Sequence, residues 1–388
     1  MNGDAQARVL WVTPNLSARF GGPTSTVING LIAEHRAGLD VELATTVDPD
    51  ESGDRSPADG LRAAGVKVRE FDRTGLTDRG EAWGLSPRLA WWLIRNLRKY
   101  DVIHLQYVWC LTSIVGALAG RLAGVPVVMT PHESLTDFDV EVASRHPLLK
   151  LTKRLLRPVM FRNVDQLIFM SKLEQKDTPA GSVPAAIVSH AVLEHPVSGP
   201  APESIPEAPG LRIAFLGRNI RKKGIHLILE AVALHPERDR RLTIAGPPAP
   251  DEYRAELAEL ADRLDLDDRI EWAGYVDDRA AYLSAADVLA MPSVYEGFGM
   301  VAAEAMCAGR PVIVPEESGV AELVDEFNAG FVMATPSPEA LDEAFSALEA
   351  DPALGGRMGQ KGIEAANSRL TFEAFAAATG AIYDRLRG

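Results

Sequence analysis

Glu296 and Glu304 stand at the two ends of one run, Glu296-Gly297-Phe298-Gly299-Met300-Val301-Ala302-Ala303-Glu304. Ahead of it, Val288 to Met291 is an apolar run of strand length, closed by Pro292 and Ser293. Behind the glycines, Met300 to Ala308 is rich in Ala and Met, good helix formers, and stops at Gly309 with Pro311 just beyond. Strand, glycine turn and helix, in that order, aim unpaired backbone N–H groups at whatever sits above the strand end. The helix dipole favours an anion there, and a phosphate is the natural guest. Carboxylates beside an anion site make sense when the ligand also offers hydroxyls for them to accept. A nucleotide sugar has both.

A second group supplies the opposite charge. Gly217-Arg218-Asn219-Ile220-Arg221-Lys222-Lys223-Gly224 follows the apolar run Arg212 to Leu216. Gly217 leaves room for close backbone approach, and Arg218 and Lys223 put two cations at the carboxyl end of a strand. A diphosphate leaving with developing negative charge needs such cations, which must neutralise it alone where no metal is bound. Taken by itself the loop reads first as a solvated basic turn. Gly21-Gly22 repeats the strand, glycine turn, helix order near the start of the chain, and His104 and His132-Glu133 each sit at a strand end.

The elements that carry these residues alternate. Val9–Val12, Val41–Thr45, Val66–Phe71, Val102–Leu105, Val125–Thr130, Leu167–Met170 and Ala186–Ser189 read as short strands. Helices are expected over Thr24–His35, from Ser86-Pro87 (N-cap and first helical position) through Leu97, and over Thr112–Leu122. Near-continuous apolar strands separated by helices indicate βαβ units and parallel sheets. His195 to Gly210 interrupts the alternation with five prolines and reads as a stiff connector. The alternation then restarts at Arg212–Leu216, with helices over Gly224–Leu234 and Tyr253–Leu264 and strands at Arg241–Ala245, Ile270–Ala273, Val288–Met291 and Pro311–Val314. The expected division is 1–195, a linker at 196–210, a second domain at 211–365, and a final helical segment, 366–388, that packs back on the first domain. Two doubly wound α/β domains would face each other, with ligand in the cleft between strand ends.

Residues 145–162 break the pattern. Leu148, Leu151, Leu155 and Val159 recur at helical spacing among Lys150, Lys153, Arg154 and Arg157, with no acid. In an acidic protein such a helix fits an anionic membrane surface, and equally a core-packed helix with a solvated basic face.

Bulk properties exclude other classes. A net charge of −14 over 388 residues argues against general nucleic-acid binding. Cys110 and Cys307 lie in separate apolar settings without metal-ligand spacing, as in a reduced compartment. The start of the chain lacks a signal-peptide pattern, and no apolar run nears membrane-spanning length, so a cytoplasmic location is expected, possible at the inner face of the plasma membrane.

Taken in order, Gly217-Arg218…Lys223-Gly224, Ala245-Gly246, Ala273-Gly274-Tyr275-Val276, Pro292-Ser293…Glu296-Gly297-Phe298-Gly299…Glu304-Ala305-Met306 and Gly309-Arg310-Pro311-Val312 resemble the signature of retaining family-4 (group 1) glycosyltransferases. The resemblance is close over the second domain and covers the whole chain in outline. It implies the GT-B architecture of two Rossmann-like domains about a deep cleft, and transfer of a hexose from a UDP or GDP sugar without a cofactor. Under it, Arg218 and Lys223 would hold the donor diphosphate. Glu296 would accept from hydroxyls of the transferred sugar, Gly297–Gly299 would lie against sugar and phosphate, and Glu304 would bind the ribose. Main chain at Tyr275-Val276 would meet the base, with the Tyr275 ring packing. Gly21-Gly22 would lie against the donor phosphate and His132 beside the sugar's C6 side. Glu133 and His104 are candidates for the acceptor side.

Each assignment has a rival: Glu304 as a capping or surface acid, His132 as a satisfied structural histidine. Asp137-Phe138-Asp139 could be a metal-binding Asp-x-Asp, a pattern that arises readily by chance in so acidic a chain. Where many relatives carry Pro-Asn-Gly before the linker, this chain has Val188-Ser189-His190-Ala191-Val192. The acceptor would be a saccharide or a lipid-linked saccharide, as in cell-surface polysaccharide or glycolipid assembly. A nucleotide-sugar epimerase of the same architecture and a non-catalytic two-domain sugar-binding protein are the alternatives.

Overall fold

The computed structural model describes residues 6–16, 22–47, 56–74, 86–136, 147–201 and 210–388. It divides into two compact units, Met1–Glu194 with Thr371–Gly388, and His195–Leu370. Gly21, the pair Asp137 and Asp139, and most of the proline-rich connector lie outside the described residues.

In the first unit β1 (Arg8–Thr13), α1 (Gly22–Arg36), β2 (Asp40–Val47), α2 (Ser56–Ala63), β3 (Lys67–Asp72), α3 (Pro87–Asn96), β4 (Val102–Gln106), α4 (Leu111–Ala123), β5 (Val127–Thr130), α5 (Pro147–Arg162), β6 (Gln166–Phe169), α6 (Lys172–Lys176) and β7 (Ala185–Ile187) follow in turn. The strands form one sheet in the order β3-β2-β1-β4-β5-β6-β7, parallel throughout. The chain winds outward from β1 to β3, then returns to lay β4 beside β1. The loops after β1 and β4 therefore diverge at a topological switch point, where such sheets bind ligands. Strands β4, β5 and β6 are buried along their whole length, which is why they read as mainly apolar runs.

Right-handed crossovers put α1 and α2 on one face of this sheet and α3, α4 and α5 on the other. Alternate residues of each strand feed the two layers. Trp11 joins Val27, Leu31 and Leu61, whereas Leu10 and Val12 join Leu89, Leu93, Ala117 and Met160. The first layer is completed from the far end of the sequence by α14 (Phe372–Arg387), whose Phe372, Phe375 and Tyr383 enter the Trp11 cluster. Gly30 makes this packing possible, because an added Cβ there would lie 2.9 Å from the Trp11 ring and 3.1 Å from Phe375. The Tyr383 hydroxyl donates to Glu34 Oε1 at 2.8 Å, and Trp11 Nε1 donates to Glu34 Oε2 at 2.9 Å. Burial lifts Glu34 to about 7 despite the hydrogen bonds from Thr379, Tyr383 and Trp11.

Helix α5 packs differently from a core helix with a basic outer face. Leu151, Leu155 and Val159, the apolar stripe, are exposed, while Lys153 and Met160 point inward. The Lys153 ammonium lies 5.7 Å from the Trp109 ring centre, close enough for a cation–π contact.

The second unit runs β8 (Leu211–Leu216), α7 (Ile225–Ala233), β9 (Arg240–Ala245), α8 (Asp251–Arg263), β10 (Ile270–Gly274), α9 (Arg279–Ser284), β11 (Val288–Ala290), α10 (Met300–Cys307), β12 (Val312–Pro315), α11 (Ala321–Phe327), β13 (Gly330–Met333), α12 (Pro338–Ala350) and α13 (Pro352–Arg369). Its parallel sheet has the order β10-β9-β8-β11-β12-β13, again with a switch point, here between β8 and β11. From the residues alone no element is expected between Val314 and the final helical segment. The structure places α11, β13, α12 and α13 there, with Ser337-Pro338 and Asp351-Pro352 capping the last two in the same manner as Ser86-Pro87 caps α3. The start of the connector is anchored within this unit. Asn367 on α13 donates to Val197 O and accepts from Val197 N, and Gln360 Oε1 accepts from Ala201 N.

Candidate active site

The loops after β8 and β11 are built against each other. After Gly217 the chain makes a 3-10 turn, Arg221–Lys223, that ends at Gly224 with φ 73°. A Cβ on Gly224 would lie 2.3 Å from Pro292 O, so only glycine lets the two loops touch. Val294 N donates to Lys222 O at 2.9 Å. This brings Lys223 Nζ into a short ion pair with Glu296 Oε1, both side chains largely buried. Glu296 is itself pinned by its backbone, with N donating to Glu317 O (2.9 Å) and O accepting from Gly319 N (3.0 Å). Phe298 O accepts from Val320 N (2.7 Å) and from the Ser318 hydroxyl (3.1 Å). Gly299, at φ 99°, opens α10, and any Cβ there would meet Met291 Cε at 2.9 Å.

One turn into α10, Glu304 Oε2 lies 2.6 Å from Arg279 Nη2 of α9. Burial lifts Glu304 to about 7 against the pull of Arg279. Asn219 Oδ1, Ser293 Oγ and Glu304 Oε2 are buried acceptors that make no directed hydrogen bond. All three lie at or beyond the carboxyl ends of the central strands β8 and β11. Arg218 is exposed at the same edge, as is the Tyr275 ring, which is 77% exposed rather than packed. Gly217 needs no close protein contact to explain it, since an added Cβ would meet only Phe215 at 3.7 Å. Its neighbour Gly246 is the crowded one, since an added Cβ there would lie 1.8 Å from Gly217 O. Gly297 and Phe298 are buried and Val276 half-buried. An ordered set of two carboxylates, three cations and a glycine turn can bind an anion and hydroxyls together.

In the first unit, Gly22 opens α1. Two residues past β5, His132 and Glu133 both have left-handed backbone (φ 50° and 67°), and Tyr107, just past β4, has φ 65°. Such conformations cost about 1 kcal/mol or more each and persist where the surroundings hold them. Here Glu174, fully buried on α6, accepts from Glu133 N at 2.7 Å through Oε1 and from Met170 N at 2.9 Å through Oε2. Burial lifts its pKa to about 7. His132 Nε2 bonds Gln106 Oε1 at 2.8 Å, and its ring lies 4.7 Å from that of Tyr107. Burial lowers His132 to about 4, so the neutral ring presents Nδ1 as an acceptor.

His104 does not reach this edge. It is 1% exposed, with Nδ1 bonded to the Tyr383 hydroxyl (2.7 Å) and Nε2 to Thr130 Oγ1 (2.8 Å). Burial lowers its pKa to about 3, and it is a core histidine instead of an acceptor-side residue. His190, in the run that replaces Pro-Asn-Gly, bonds Thr26 Oγ1 of α1 at 2.9 Å. Arg279, Glu174, Gln106 and His190 were not among the residues read as functional. Only Glu174 carried a local signal, the capping-box spacing from Ser171, whose hydroxyl accepts from Glu174 N.

Among known proteins, the family profile described as Glycosyl transferases group 1 matches residues 204–365, and that described as Glycosyl transferase 4-like domain matches residues 21–189. The D-inositol 3-phosphate glycosyltransferase of Kribbella flavida is 30% identical over 70% of this chain and 68% of its own length. The chain belongs to the group 1 glycosyltransferases. The enzyme of that name from Corynebacterium glutamicum (strain R) is 29% identical over 94% of this glycosyltransferase and 91% of its relative. In fold it matches Anabaena Alr3699/HepE, solved in complex with UDP and glucose, at TM-score 0.76 and 20% identity, covering 98% and 100% of the two chains. The two Rossmann-like units are those of the GT-B class. Among the described residues no helix is long and apolar enough to cross a membrane.

Proposed function

We propose that this glycosyltransferase moves a hexose from a nucleotide-diphosphate sugar to an acceptor hydroxyl, retaining the anomeric configuration and using no metal. The observation that carries the reading is the Lys223–Glu296 pair held between the loops after β8 and β11, with Arg218 exposed at the same strand end. Arg218 and Lys223 would meet the diphosphate, where charge grows as the bond to the sugar's C1 breaks. Glu296 would accept from sugar hydroxyls and Glu304 from the ribose. The N-terminus of α10 and the Gly297–Gly299 backbone would face sugar and phosphate. Gly22 is assigned to the donor phosphate, the main chain at Val276 to the base, and the acceptor nitrogen of His132 to the sugar. As C1 bonds the acceptor oxygen on the face the diphosphate leaves, the acceptor's proton passes to a leaving phosphate oxygen.

The acceptor reading has two sources. The relatives' names bring D-inositol 3-phosphate into consideration. The exposed leucines among the basic residues of α5 favour a lipid-linked saccharide met at an anionic membrane, at its cytoplasmic face. Purified protein incubated with UDP and GDP hexoses, with and without acceptor and with EDTA present, tests the whole. The expected result is acceptor-dependent release of nucleoside diphosphate that survives EDTA, with the product's anomeric coupling matching the donor's. Inversion, loss in EDTA, or turnover without any acceptor (the behaviour of an epimerase) would each overturn a named part.

A further inference from the structure

Three long helices on one face of the first unit carry no acid. Helices α3, α4 and α5, with the turn Leu97–Lys99 that continues α3, contain no aspartate or glutamate, in a chain of net charge −14. They hold Arg95, Arg98, Arg121, Arg154 and Arg157, and Arg88, whose guanidinium pairs with Asp72 at the end of β3. The steps β3 to β4, β4 to β5 and β5 to β6 cross the sheet in one direction, so right-handed crossovers lay all three helices on one face. Their inward residues, Leu89, Leu93, Ala117 and Met160, share one core cluster. Their outward faces therefore look the same way.

Those outward faces are apolar as well as basic. Trp91 and Ile94 from α3, Leu118 and Leu122 from α4, and Leu151 and Leu155 from α5 are exposed by between 43% (Leu118) and 81% (Leu122). The Arg95 guanidinium stacks 3.7 Å from the Trp91 ring centre, a flat aromatic-cation pair of the kind that sits at the headgroup level of a bilayer. Separate apolar side chains spread over three helices, with cations between them, match a broad surface that is anionic outside and apolar just beneath.

We propose that α3, α4 and α5 together form a docking face for an anionic lipid bilayer. This deepens the acceptor reading above, which involves α5 alone, and rests on it only for the acceptor's place in the membrane.

Vesicle flotation tests it. Wild-type protein should float with phosphatidylcholine vesicles containing about 30 mol % phosphatidylglycerol and not with phosphatidylcholine alone. Arg95→Gln with Arg121→Gln should lower binding roughly thirtyfold, at about fivefold per charge near such a surface. Ile94→Ser with Leu122→Ser should lower it by at least about tenfold. Both pairs leave α5 intact and alter exposed side chains, and thermal melts check that the fold is kept. The proposal is overturned if wild type ignores anionic vesicles, binds neutral ones equally, or keeps full binding in both pairs while Arg154→Gln with Arg157→Gln loses it. Thermal shift with nucleotide sugars on the same samples separates the two readings. A donor response without flotation sinks the docking face alone, and flotation without a donor response sinks the donor reading alone.

Discussion

Arg279 Nη2 and Glu304 Oε2 stand 2.6 Å apart as an ion pair, yet that oxygen makes no directed hydrogen bond. Arg279 thus favours the charged form of Glu304 against burial without filling that oxygen's lone pairs. A carboxylate in that condition can still accept from a ligand's hydroxyls while burial pushes it toward protonation.

Replacing the partner should expose the dependence. In Arg279→Gln, burial acts on Glu304 unopposed, and its pKa rises beyond about 7. Calorimetric affinity for the nucleoside diphosphate should fall about tenfold near pH 7 and recover as the pH is raised to about 9. An affinity loss that is flat with pH would remove Glu304 ionisation from the explanation.

Glu296→Ala removes the acceptor proposed to face the sugar and leaves Lys223 without its counter-charge. Transfer should drop by roughly 10² to 10³, with the circular dichroism spectrum unchanged, because Glu296 is fixed to residues 317–319 through its backbone. Full activity in a folded Glu296→Ala protein would end the assignment.

Glu174 makes a pH prediction. Its folded pKa, about 7, lies above its ordinary value of 4.5, so between those two the folded state binds the extra proton. The contribution to stability is then present at low pH and is lost as pH rises through about 7, a change of about 3 kcal/mol at most. Buried His104 and His190, whose pKa values burial lowers to about 3, act in the opposite sense. The measurement is therefore the difference between wild type and Glu174→Gln. Melting temperatures should show wild type losing ground relative to the variant between about pH 5 and pH 8. The Gln side chain offers one acceptor for two backbone donors, so the His132-Glu133 turn relaxes and transfer falls about tenfold, mainly in kcat. Parallel pH curves for the two proteins would rule this out.

Tyr383→Phe removes the hydroxyl between Glu34 and His104. Both partners stay buried, so unfolding free energy should fall by about 1 to 3 kcal/mol in denaturant melts. A neutral outcome would show that the pair finds other partners.

Much of this was legible in the residues. Parallel strands buried on both faces write themselves as apolar runs, and Glu296 with Glu304 marked the β11–α10 turn. The four elements between Val314 and Phe372 were not read, although Ser337-Pro338 and Asp351-Pro352 carried the N-cap signal already used at Ser86-Pro87. What sequence could not show was pairing at a distance. Arg279 reaches Glu304 from another helix, and Glu174 reaches Glu133 across 41 residues. His104 looked like a strand-end ligand because nothing nearby reveals that Tyr383, 279 residues on, takes its ring nitrogen. The apolar stripe of α5 showed its period but not its direction, since Lys153 takes the inward position.

The place of α14 has a consequence for how the protein is made. A ribosome delivers β1 to β7 first and the last helix of that same unit only after residues 195–370 have emerged. Until then Trp11, Leu31 and the Glu34 carboxylate face water where Phe375 and Tyr383 will sit. The second unit has all its elements in one stretch and can close during translation. The nascent first unit must wait, open along one helix's width, until α14 has followed the whole second unit out.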